Sequence, residues 1–190
     1  KLMRVALVTT HVPVSKISEQ ITQEAIEHKA RLLYKSLRRD FCVSAPRIAI
    51  LGFNPHNGDG GVLGTEEQDV ITPAIKQLVE EGIQCFGPYS ADGFFGTGQY
   101  SRFDGVLAMY HDQGLAPFKA LAGDEGVNFT AGLPVVRTSP DHGTAYGIAG
   151  QGIASPTPFR EAVYAAIDLF RDRQRFDEAN ANPLPKLYHD

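Results

Sequence analysis

The stretch that decides the fold is Asp104-Gly105-Val106-Leu107-Ala108-Met109-Tyr110-His111-Asp112-Gln113-Gly114. Gly105 to Met109 carries no polar side chain, so a strand over 104–110 is apolar on both faces, as a parallel strand covered by helices on both sides must be. Working outward, residues 4–9 and 47–52 read as further strands, and 83–86 as a short one. Ile21, Ala25, Leu32, Leu33 and Leu37 recur at roughly helical spacing over 17–41, with Ser18 placed to cap that helix. Thr65-Glu66-Glu67 opens a second helix that runs to residue 81 and is ended by Gly82. This strand–helix–strand–helix order predicts a layered α/β unit with a mostly parallel central sheet. Residues 88–103, rich in Gly and aromatics, read as a loop. Residues 127–130 and 134–138 read as a strand pair, 158–173 as a final helix, and the chain after Arg175 as a frayed tail.

Composition excludes several classes of function. The chain has 190 residues, 43% hydrophobic and 21% charged, with net charge −4, ordinary values for a globular protein with a sizeable core. The mild negative charge argues against nucleic acid or a membrane surface as partner, and the basic run from Lys35 to Arg39 reads as a solvated helix face. Cys42 and Cys85 lack CxxC spacing, which excludes a cysteine-rich zinc site and fits a reduced cytoplasm. No apolar stretch approaches the ~18 residues that span a bilayer, and the first residues form no signal peptide. Lys1-Leu2-Met3 runs directly into the first strand, as a chain beginning inside a larger protein would.

Three histidines follow apolar runs: His11 in TTHVPV, His56 in NPHNGDGG and His111 in AMYHDQG. Ligands of open α/β sheets bind beyond the carboxyl ends of the strands, so three such residues can converge into one polar site. Imidazoles there suit a divalent transition metal with open positions for substrate oxygens; taken singly, each histidine reads first as a loop cap, and their shared context favours the metal. Asp112 reads either as a carboxylate orienting an imidazole or as a helix N-cap, and Asp92 either as a site acid or as a turn residue. Lys119, Asn128 and Arg137 supply cationic and amide donors for an anionic substrate, and Arg137 ends a run that reads as a core strand, where a charge needs a partner. The Gly-punctuated segment 138–156 does not match the Rossmann fingerprint.

Taken together and in order, TTHVPV, NPHNGDGGVLGTEE, VLAMYHDQG and RTSPDHGTAYGIAGQG resemble the 4-hydroxythreonine-4-phosphate dehydrogenase family of pyridoxal phosphate biosynthesis, over residues 4–174. The resemblance implies an isocitrate/isopropylmalate dehydrogenase-like fold and a homodimer with its active site in the cleft between two domains. It implies a divalent metal (zinc, magnesium, cobalt or manganese) held by histidines of both subunits, aligned with His11, His56 and His111. Lys119, Asn128 and Arg137 align with substrate-binding positions, and Asp141, His142 and Gly143 with the loop around the adenosine of NAD or NADP. Asp92 and Asp112 become the proton-relay candidates. The implied reaction oxidises 4-phosphooxy-L-threonine to 2-amino-3-oxo-4-phosphooxybutanoate, which decarboxylates to 3-amino-2-oxopropyl phosphate. On this resemblance the chain lacks the family's amino-terminal portion and divides into a metal-binding, dimer-forming part (1–138), a return segment carrying the cofactor loop (139–175) and a tail (176–190). Two alternatives remain: a dehydrogenase of D-threonate or D-erythronate 4-phosphate, and a metal-binding dimerisation fragment without turnover.

Overall fold

The computed structural model describes residues 3–184. Its centre is a four-stranded parallel sheet built from β1 (Val5–Leu7), β2 (Arg47–Leu51), β3 (Gln84–Tyr89) and β4 (Gly105–Ala108), in the order β1-β4-β2-β3. Val106 pairs with Val5 on one side and Ala49 on the other, so the last strand of the sheet in sequence lies between the first two. All four residues of β4 are buried, as its two-faced apolar run requires.

Side chains alternate across the sheet. Ile48, Ile50, Leu107 and Met109 face α2 (Gln23–Arg39) and α3 (Thr72–Glu80), while Ala49, Leu51, Val106 and Ala108 face the opposite layer with Phe94 and Phe103. The α2 face is Ile26, Ala30, Leu33 and Leu37, three or four residues apart, and it lies so close that a Cβ on Gly105 would sit 3.0–3.1 Å from Leu37 and Leu33. The opposite layer holds α4 (Ala91–Gly96) and α5 (His111–Ala122). Outside the sheet, an antiparallel ribbon of β5 (Val127–Phe129) and β6 (Thr138–Pro140) packs on α6 (Thr157–Asn180), where the Thr138 hydroxyl donates to the Ala162 carbonyl at 2.8 Å. Among the described residues no helix is long and apolar enough to cross a membrane.

Several expectations change. The helix of 17–41 is two: α1 (Ile17–Gln20) ends where Ile21 turns extended (φ −83°, ψ 92°), and α2 is capped by Thr22, not Ser18, the Thr22 hydroxyl accepting from the Ala25 amide at 3.1 Å. The helix of 65–81 begins as a π-helical turn over Glu67–Ile71. The 88–103 loop contains α4 and a 3₁₀ turn over Gln99–Arg102, because Phe94 and Phe103 enter the core and order the segment between them. The second ribbon strand starts at Thr138, so Arg137 ends no core strand and is exposed. The final helix continues to Asn180, where a frayed tail was expected; Lys1, Leu2 and 185–190 lie outside the described residues.

α6 is tied to α2 by a buried ion pair. Arg173 Nε donates to Asp40 Oδ1 at 2.6 Å, with side chains 7% and 4% exposed, and the Ser36 hydroxyl donates to the other Asp40 oxygen. The neighbouring pair of Arg39 with Asp177 is solvent-exposed. Removing one partner of a buried pair strands the other charge, so Asp40→Ala should lose about 3–5 kcal/mol in urea unfolding. Asp177→Ala should leave the unfolding midpoint almost unchanged, because solvent screens an exposed pair. Equal losses would show that burial gives the Asp40 pair no special weight.

Candidate functional site

Parallel pairing brings the carboxyl ends of β1, β4 and β2 to one edge of the sheet as neighbours. Beyond the ladder, the Thr9 amide and hydroxyl both donate to the Met109 carbonyl, at 3.1 and 2.9 Å, which keeps β1 and β4 together past their last paired residues. The rings of His11 and His111 consequently sit side by side, with centroids 6.2 Å apart and planes inclined by 40°. His111 is the first residue of α5, and its Nδ1 lies 2.7 Å from Asp112 Oδ1. A carboxylate only accepts hydrogen bonds, so this contact puts a proton on Nδ1 and leaves the lone pair of a neutral ring on Nε2, the arrangement of a metal-ligating imidazole. The helix N-cap position belongs to Tyr110.

His56 follows β2 in an unusual turn. His56, Asn57, Gly58, Asp59 and Gly60 all have positive φ (52°, 53°, 77°, 45° and 65°), a left-handed stretch that only glycine adopts freely. What holds it is Glu67, a carboxylate 3% exposed whose Oε1 accepts from the amides of Phe53 and Asn54 at 2.7 and 2.6 Å, while Asn54 Nδ2 donates to both Glu66 and Glu67. A Cβ on Gly58 would lie 2.5 Å from the Gly64 carbonyl oxygen and 2.8 Å from the Glu67 carboxylate, so space as well as φ demands glycine there. Asn57 Nδ2 donates to the Pro88 carbonyl, anchoring the turn to the end of β3. From sequence, Glu67 reads only as a helix-opening residue; its burial carries no local signal.

Asp92 stands in the first turn of α4 and accepts from the Ser90 hydroxyl at 2.7 Å. That bond, then the Gly93 amide and the charge of His56, hold its carboxyl below the ordinary carboxylate range. Asp92 thus stands within electrostatic reach of His56, while the rings of His11 and His111 are neighbours. Among the described residues no three metal-ligating side chains converge. The donor chemistry of His11 and His111 fits a divalent metal, and this chain brings two of the three histidines together.

The remaining candidates form a second region. Lys119 Nζ donates to the Asp141 carbonyl at 3.1 Å and lies 3.6 Å from the Asp141 carboxylate. Asp141, His142 and Gly143, with Gly123 and Gly126, line a cleft of about 470 Å³, and His142 Nδ1 lies 2.7 Å from the Gly143 carbonyl. Cross-strand pairing puts Asn128 opposite Ser139, and Arg137 Nη1 donates to the Thr130 hydroxyl at 2.9 Å. Asn128 and Arg137 thus share the ribbon face turned away from α6, because Thr138 on the other face bonds that helix.

A two-sided parallel sheet with paired imidazoles at adjacent strand ends defines a layered α/β protein with donors suited to a metal at the carboxyl edge of its sheet. The family described as pyridoxal phosphate biosynthetic protein PdxA matches residues 1–166, and the chain belongs to that family. It is 63% identical over 187 residues to a 4-hydroxythreonine-4-phosphate dehydrogenase from Bacteroides thetaiotaomicron, covering 98% of this chain and 51% of the relative. The crystal structure of the Klebsiella pneumoniae enzyme of that name is similar with TM-score 0.77 and 37% identity, over 87% of this chain and 50% of that one. A terephthalate 1,2-cis-dihydrodiol dehydrogenase from Burkholderia xenovorans is similar with TM-score 0.69 and 30% identity, over 87% of this chain and 52% of that one. The chain spans about half the length of the curated relatives it matches.

The Asp92 geometry is testable by carbon-detected NMR titration. Ser90→Ala should raise the Asp92 midpoint towards the ordinary value of about 4. Since the folded-state pKa is the depressed one, the stability that Asp92 contributes is present above the unfolded pKa and is lost as pH falls through the folded one. A midpoint unmoved by the substitution would assign the depression to another group.

Proposed function

We propose that the protein bearing this chain is an NAD(P)- and divalent-metal-dependent dehydrogenase that oxidises 4-phosphooxy-L-threonine to 2-amino-3-oxo-4-phosphooxybutanoate. Loss of carbon dioxide from that β-keto acid then gives 3-amino-2-oxopropyl phosphate for pyridoxal phosphate formation. The observation that carries this reading is the His11–His111 pair, with Asp112 fixing the ring of His111 so that Nε2 points its lone pair away from the carboxylate. The names of the relatives and the family match support it.

The third ligand of this reading is His56 of the partner subunit. Among the described residues of one chain no third ligating side chain joins His11 and His111, so a homodimer that shares its sites supplies what a single chain lacks. Val62 and Leu63, on the same loop as His56, are 80% and 46% exposed, as apolar residues awaiting a second copy would be. Residues 1–138 then form the metal-binding and dimer-forming part and 139–175 the return segment with the cofactor loop. The two free cysteines, Cys42 and Cys85, suit a reducing cytoplasm.

A bound divalent metal, held by the histidines, would supply Lewis acidity at the substrate's oxygens, and bound NAD(P) would supply the hydride acceptor. The chain's own residues do the rest. Lys119, Asn128 and Arg137 bind the substrate's phosphate and carboxylate, each as a hydrogen-bond donor held on a helix or ribbon. Asp141, His142 and Gly143 surround the adenosine in the cleft they line. Either Asp92, bonded to the Ser90 hydroxyl, or Asp112, on His111 Nδ1, moves the alcohol proton out and returns one to the product carbon. The likeness to the dihydrodiol dehydrogenase shows the same fold on a protein named for another substrate; the higher identity to the 4-hydroxythreonine-4-phosphate dehydrogenases favours the phosphorylated amino acid.

His56→Ala and His111→Ala should each abolish metal binding and turnover in the intact protein. Co-expressed with separate tags, the two should form heterodimers in which one of the two sites is whole, so mixed dimers should regain about a quarter of wild-type activity across the population. No recovery in purified heterodimers would sink the shared site.

A further inference from the structure

Gln113 stands two residues beyond His111, in the first turn of α5, and is bonded at both ends. Its Oε1 accepts from the Met109 amide at 2.7 Å, and its Nε2 donates to the Gly52 carbonyl at 2.6 Å. Met109 is fully buried just past β4, and Gly52 is buried just past β2. Both are main-chain groups beyond the end of the sheet ladder, where the strands no longer satisfy each other.

The two bonds complete a chain across the carboxyl edge of all four strands. Thr9 beyond β1 donates to the Met109 carbonyl; the Met109 amide donates to Gln113; Gln113 donates to the Gly52 carbonyl; and the Gly52 amide donates to the Tyr89 carbonyl of β3 at 2.8 Å. Every histidine of the candidate site leaves this belt within a few residues: His11 two after Thr9, His111 two after Met109, His56 four after Gly52. A glutamine near the start of a helix ordinarily reaches back to cap a free amide, and Oε1 does a version of this on the residue before the N-cap. Capping uses only the oxygen. The amide nitrogen spans from β4 to β2, and a side chain with donor and acceptor on one planar group is what that crossing requires.

We infer that Gln113 is a positioning residue that locks the His111 turn to the base of the His56 loop and so fixes the bearings of the imidazoles, His11 and His111 toward one metal of the proposed dimer and His56 toward the other. It touches no reacting atom. The metal half of this inference rests on the proposed metal site; the mechanical half does not.

The test uses the intact protein, Co²⁺ alone as the probe, and two variants at pH 8, where a glutamate is ionised. Gln113→Glu keeps an oxygen for the Met109 amide but sets a carboxylate against the Gly52 carbonyl, so it preserves the cap and breaks the crossing. Gln113→Met keeps the bulk and loses both bonds. In Gln113→Glu, Co²⁺ affinity should fall about 10–100-fold, as it does when supports of ligating residues are removed. Amide exchange at Phe53 and Asn54 in the metal-free protein should rise about tenfold, with Met109 and the strand interior at Leu107 unchanged. In Gln113→Met, exchange at Met109 should rise as well. Wild-type affinity and exchange in Gln113→Glu would overturn the inference and leave Gln113 a helix cap. Faster exchange at Leu107 in step with the loss of affinity would also overturn it, by making the effect general destabilisation. If the wild-type protein binds no Co²⁺, the metal site falls, and exchange at Phe53 and Asn54 alone decides whether Gln113 holds the loop.

Discussion

Everything in this chain depends on parallel pairing of β4 with both β1 and β2. Parallel neighbours cannot be joined by a hairpin; each connection must cross a face of the sheet and re-enter at the same edge. The crossings clothe both faces, one with α2 and α3 and the other with α4 and α5. They also send three connections distant in sequence out of one edge. Small residues make this possible at the centre, since α2 packs its leucines directly over Gly105. The site is thus a by-product of the topology: once β4 is inserted between β1 and β2, His11 and His111 have nowhere to go but beside each other.

The left-handed turn at His56 shows how a stretch that local preference opposes is held. A residue other than Gly, Asn or Asp in that region costs about 1–2 kcal/mol, and His56 bears such a cost between tolerant neighbours. The surroundings over-determine the turn: the Glu67 carboxylate takes the two amides just before it, and Asn57 is pinned to the end of β3. Backbone kept in sparse regions by this much support belongs to sites where the direction of one side chain matters more than local comfort.

Much of this was legible in the sequence, for physical reasons. The strands showed themselves because a segment covered on both faces has no polar positions to hide, and the histidines stood out because each follows such a run. Other features depended on contacts with no local signature. α5 escaped because Gly114 and Pro117 look like helix breakers, yet Gly114 is where the helix meets Leu7, Val5 and Ala108 too closely for any side chain. α4 escaped because its glycines suggest a loop, while Phe94 and Phe103 supply the order from the core. The apolar run at Pro134 to Val136 mimics a strand but lines an open groove beside α6, and pairing begins only at Thr138. Glu67 and Gln113 are polar residues whose partners are main-chain groups elsewhere, so their weight appears only once the chain is folded. That one chain gathers two histidines and not three is likewise a fact of three dimensions.

The close seat of α5 has a last consequence. A helix packed through long side chains can rock, because those side chains change rotamer; one packed through a glycine presses backbone against its neighbours and has no such cushion. His111 opens α5, and Lys119 follows eight residues later, held to Asp141 at the rim of the cleft. At a helical rise of about 1.5 Å per residue the two stand about 12 Å apart along the helix, with Pro117 between them. The glycine seat of α5 therefore fixes the separation between the imidazole pair and the rim of the cleft.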